Sequence, residues 1–69
     1  MFDMAPGYYA RYRNAAGDVR EMRHYDDDAE QWTDGNGTVW TRTAVTAERH
    51  LNRSRWLAEL DRLEAQAKS

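Results

Sequence analysis

The chain has 69 residues, with 10 basic against 12 acidic side chains for a formal net charge of −2, and no cysteine. That length fits one domain, which buries only roughly 60% of the surface its unfolded chain exposes, and it has neither disulfides nor thiolate metal sites to stiffen it. Aliphatic side chains are few (three Val, four Leu, no Ile), so four Tyr, three Trp and three Met must supply the core, each buried Tyr or Trp removing roughly 150–250 Å² from water.

Residues 1–7, MFDMAPG, read as a flexible N-terminus. The sequence there lacks a basic segment followed by a long apolar run, and no stretch approaches the ~18 apolar residues of a membrane span. The expectation is a protein without signal peptide or membrane contact, in the cytoplasm.

Residues 8–25 and 30–42 carry a repeat. YRNAAGDVRE from Tyr12 and WTDGNGTVWT from Trp32 share an aromatic, then Asn or Asp two positions on, Gly three further and Val two beyond that, at an offset of 20 residues. Asn or Asp opens a type I turn by accepting backbone N–H bonds, and the later Gly takes the left-handed conformation of a bulge. Each unit is therefore expected to be an antiparallel hairpin. The loops fix the pairs: Tyr12 with Arg20, Arg11 with Glu21 and Ala10 with Met22, then Trp32 with Trp40, Thr33 with Val39 and Glu30 with Arg42. Aromatic and opposite-charge cross-strand pairs contribute roughly 0.2–1 kcal/mol each. Joined by the acidic linker 26–29, the hairpins make a four-stranded antiparallel meander.

From Thr43 the chain turns to helix formers, and a helix is expected over 44–67, with Thr43 as N-cap, Glu48 near the positive end of the dipole and Glu64 paired to Lys68. At 100° per residue Val45, Trp56, Leu60, Leu63 and Ala67 gather on one side, while Ala44, Ala47, Leu51, Ser54, Ala58 and Ala65 lie almost opposite. The first side fits the sheet. The second, centred on Ala47, Leu51 and Ala58, fits a second copy of the chain, and a kink at Asn52–Ser54 would also reconcile the two stripes. The expected architecture is a single α+β domain of two tandem hairpins and one long C-terminal helix, ββββα.

Chemistry is sparse. Neither DDDAEQ nor DGNGTVW has the Gly at position six and Glu at position twelve of a calcium loop. His24, Asp26 and Asp28 alternate along the chain as ligands would, with His50 as a fourth, but nothing in the sequence fixes their distances. The serines are Ser54 and Ser69, no nucleophile elbow occurs, and DGNG sits between strands and so forms no phosphate cradle before a helix. No enzyme activity, cofactor or metal is expected.

Two binding classes remain. Seven acids fall between Asp18 and Asp34, including Asp26, Asp27 and Asp28, a run that resembles a strip of phosphates and that, with Trp32 and Trp40, offers another protein an acidic and aromatic surface. The alternative is single-stranded nucleic-acid binding by Tyr9, Arg11, Arg13, Arg23 and Tyr25 on a sheet face, against which stands a sequence pI near 5.6. Nine Arg to one Lys with many Ala is the usage of a GC-rich coding sequence. The expectation is a bacterial protein, or a phage-encoded one working in the host cytoplasm, that modulates or inhibits a larger protein. A homodimer through the Ala47, Leu51 and Ala58 face, serving as an oligomeric scaffold, is the further alternative.

Overall fold

A computed structural model describes residues 6–25 and 29–67. The architecture is α+β in the order β1 (Tyr9–Arg13), β2 (Val19–Arg23), β3 (Gln31–Thr33), β4 (Val39–Val45) and α1 (Arg53–Ala67).

Both hairpins form with the register that their loops dictate. Tyr12 faces Arg20, Arg11 faces Glu21 and Ala10 faces Met22, while Trp32 faces Trp40 and Thr33 faces Val39. Beyond β3, the Arg42 N–H donates to the Glu30 carbonyl at 2.7 Å. In the first loop Asn14 Oδ1 accepts from the Asp18 N–H at 2.9 Å. In the second, Asp34 Oδ1 accepts from the N–H groups of Asn36 at 2.8 Å and Thr38 at 3.0 Å. Gly17 and Gly37 take φ of +87° and +82°, where a Cβ is strained.

The strand order is β2-β1-β4-β3, with every pairing antiparallel. The hairpins are thus tandem as expected, but they join through β1 and β4, which corrects the sequential order of a meander. The cause lies in the side chains. Ala10, Arg11 and Tyr12 in β1 and Trp40 in β4 are buried, whereas β2 (VREMR) and β3 (QWT) are mostly exposed. Short or charged strands occupy edges, where an unpaired backbone is solvated.

The β1–β4 ladder slips by one residue between Arg11 and Tyr12: Arg11 pairs with Ala44 but Tyr12 with Arg42. Thr43 is the extra residue, a bulge that turns both it and Ala44 toward the same side of the sheet. This pairing also corrects the helix boundary. Ala44 and Val45, expected to be helical, extend β4 by pairing with Arg11 and Ala10, and Tyr9 and Thr46 continue the contact, the Thr46 N–H reaching the Tyr9 carbonyl at 2.9 Å and Thr46 Oγ1 accepting from the Tyr9 N–H at 3.0 Å. The helix starts at Arg53, and its N-cap is Asn52, not Thr43: Asn52 Oδ1 accepts from the Ser54 N–H at 2.8 Å. Glu48 lies ahead of the helix, Glu64 turns to the sheet, and Lys68 is outside the described residues.

Strand alternation divides the core in two. Tyr9, Arg11 and Arg13 point to α1, where Tyr9 stacks on Trp56 with centroids 4.3 Å apart and planes 5° from parallel and Leu60 is fully buried. Ala10 and Tyr12 point the other way and cluster with Trp40, with Met22, Trp32 and Val45 packed around them.

Candidate functional site

The helix is fastened to the sheet by charge as much as by apolar contact. Glu64, buried on the sheet side of α1, accepts from Arg13 Nε at 2.7 Å on Oε2 and from Arg13 Nη2 at 2.8 Å on Oε1. The same carboxylate takes the Thr43 hydroxyl at 2.6 Å and Arg11 Nη1 at 3.3 Å. Arg13, foremost, and then Thr43 and Arg11 hold Glu64 at about 2, well below the ordinary 4.5, against the opposing effect of burial. Arg11 is itself buried and divides its guanidinium among Glu64, Glu21 at 2.7 Å and Asp61 at 2.6 Å. Burial pulls its pKa down, but the bonds from Asp61 and Glu21 outweigh this and raise it. A second latch joins His50 to Glu59, whose other oxygen accepts from the Ala47 N–H at 2.7 Å. Burial opposes ionisation of Glu59, yet the Ala47 and His50 bonds hold its pKa below the ordinary value. Arg11 and Arg13 both face carboxylates, so the Glu64 node carries no spare positive charge toward a ligand.

On the opposite face the two tryptophans stack with centroids 6.1 Å apart, and Trp32 meets Tyr12 edge-on at 6.0 Å. Arg20 lies over both, its Cζ 4.5 Å from the Trp40 ring and 5.5 Å from Trp32. Trp40 is buried, and its indole N–H donates to Asp34 Oδ2 at 3.0 Å. That bond, followed by those from the Thr38 and Asn36 backbones, lowers the Asp34 pKa. The residues expected to meet a partner therefore differ in place. Trp40 is a core residue braced by the loop, Trp32 is half-buried on the edge strand β3, and Asp26, Asp27 and Asp28 lie outside the described residues.

The other expected sets are dispersed. Tyr9, Arg11 and Arg13 sit beneath α1 and are occupied by Trp56 and the carboxylates. Arg23 and Tyr25 are exposed and line a cleft at the end of the sheet where β1 begins and β2 ends. Ala47, Leu51 and Ala58 are all exposed, but Ala47 and Leu51 precede the helix, so they do not form the continuous helical stripe that their spacing implied. Among the described residues no three His, Asp or Glu side chains converge as for a metal, and no helix is long and apolar enough to cross a membrane.

The Glu64 node was absent from the sequence-based expectations, yet it had a signal. Trp56, Leu60 and Glu64 fall at i, i+4 and i+8, so a carboxylate stands on the apolar stripe, and Arg11 and Arg13 stand two apart on a strand. Matching the two would have predicted the pairing. No family model, no curated protein and no solved structure matches this chain.

Proposed function

We propose that the chain is a small, non-enzymatic protein-binding module that modulates or inhibits a larger protein, engaging it through β3, Trp32 and the acidic run Asp26–Asp28. The observation that carries this reading is the place of β3. It is an outermost strand whose far side has no strand partner among the described residues, it presents a half-buried Trp32 held on Trp40 and Tyr12, and it follows the acidic run directly in the chain. An edge strand offers backbone donors and acceptors to an incoming strand, and a pre-positioned indole is a common anchor of binding energy. Trp40 serves beneath it as support. The bacterial or phage setting rests on residue usage and the cytoplasm on the sequence pattern. The single-strand nucleic-acid alternative loses Tyr9, Arg11 and Arg13 to α1.

The test is capture of partners from nuclease-treated source-cell lysate by the tagged chain, the D26N/D27N/D28N variant and Trp32→Ala. A protein retained by the parent and lost with both variants, each still folded by circular dichroism, supports the reading. Equal retention by all three overturns it.

A further inference from the structure

The cleft at the end of the sheet is a built site of a different chemistry. Its volume is about 360 Å³, and it is lined by Gly7, Tyr8, Arg23, His24, Tyr25 and Arg49 together with Pro6, within the roughly 300–1,000 Å³ usual for small-molecule sites. Backbone bonds fix its walls. The Gly7 and His50 N–H groups each donate to the other's carbonyl, at 3.1 and 2.9 Å, and the His24 N–H donates to the Tyr8 carbonyl at 2.8 Å. Those bonds place Arg49, next to His50, and Arg23, next to His24, on the lining of one cleft.

Both cations are held in place by neighbours that are themselves uncharged. The Arg23 guanidinium lies so close over Gly7 that a Cβ there would stand 2.6 Å from Nη2 and 2.7 Å from Cζ, so glycine is what lets it lie in the cleft. The Arg49 guanidinium lies over the Tyr8 ring at 5.5 Å. Among the described residues neither has a carboxylate partner, in contrast to Arg11 and Arg13, and none of the residues lining the cleft is acidic. Tyr25 adds an aromatic residue that is 59% exposed. We propose that this cleft binds a nucleotide unit, its phosphate between the Arg23 and Arg49 guanidiniums and its base on the exposed Tyr25 ring. Two forked cations suit a phosphate's oxygens, and an accessible phenol ring suits a base of any sequence. The same chemistry comes from a free mononucleotide or from one residue of a single strand.

Titration calorimetry at low salt with AMP, adenosine, inorganic phosphate and a short oligo-dT tests this on the full chain. AMP should bind saturably below about 1 mM, more tightly than either adenosine or phosphate, and Arg49→Gln and Gly7→Ala should each weaken it about tenfold or more. The atoms nearest a Cβ at Gly7 are all in the movable guanidinium end of Arg23, so the circular dichroism of Gly7→Ala should match the parent. Oligo-dT bound more tightly than AMP, with the same sensitivity to both variants, identifies the strand as the source; the reverse identifies the free nucleotide. No saturable binding of AMP or oligo-dT overturns the site. Binding that inorganic phosphate matches, or that folded Arg49→Gln and Gly7→Ala leave unchanged, overturns it equally.

Discussion

Replacing Glu64 by Gln removes the charge at the centre of the helix latch while keeping its shape. The carboxylate receives four donors on its two oxygens, from Arg13 twice, Thr43 and Arg11; the amide has one oxygen and sets an NH2 group against the remaining donors. A carboxyl that titrates at the ordinary 4.5 when unfolded and at about 2 when folded stabilises the fold by about 3 kcal/mol at neutral pH, at roughly 1.4 kcal/mol for each pH unit separating the two values. Because the folded value is the lower one, this contribution is fully present above pH 4.5 and is lost as pH falls toward 2, leaving roughly 1.4 kcal/mol at pH 3. A 69-residue domain has only about 3–10 kcal/mol in total. Urea unfolding followed by tryptophan fluorescence should show Glu64→Gln about 2–3 kcal/mol less stable at pH 7, with the difference at pH 3 reduced by more than half. A difference below about 0.5 kcal/mol at pH 7, or one of equal size at both pH values, would refute the assignment of this carboxylate as the anchor of α1.

Gly37 and Gly35 give a contrast within one loop. Gly37→Ala forces a Cβ into a φ of +82° and should cost about 1–2 kcal/mol in urea unfolding, whereas Gly35→Ala, in open space without a positive φ, should be neutral within about 0.5 kcal/mol. Leu60 is fully buried between helix and sheet, so Leu60→Ala should destabilise by about 2–5 kcal/mol and shift the thermal midpoint accordingly; a loss under 1 kcal/mol would mean that α1 is held by its charges alone.

The parts of the fold legible in the sequence are those whose causes are local. Asn14 with Gly17 and Asp34 with Gly37 specify their turns within four residues, and each turn fixes the register of the strands it joins. The start of the helix was not local. Ala44 and Val45 are acceptable in a helix or a strand, and pairing with Ala10 and Arg11, more than thirty residues earlier, decides for the strand. Strand order was half legible, since a charged β2 and a three-residue β3 are suited to edges, but the sequence contains no signal that β1 should meet β4. At the candidate site the Trp32–Trp40 pair was readable from alternation. That Trp40 is interior depends on Arg20, Tyr12 and Asp34 arriving from three separate segments.

The order β2-β1-β4-β3 makes the link between the hairpins join the two outer strands, while the pairing between the hairpins is carried by the inner strands β1 and β4. The strands joined by that link, β2 and β3, lie three steps apart in the sheet, roughly 14 Å at about 4.8 Å per step. Each hairpin closes over a short loop and is fast, whereas the β1–β4 ladder must wait for a distant encounter, which makes that docking the slow step of folding. It also makes the domain divisible. Cut within residues 26–28, the chain would become two complementary fragments whose recognition surface is the β1–β4 ladder and the Arg11, Arg13 and Glu64 node.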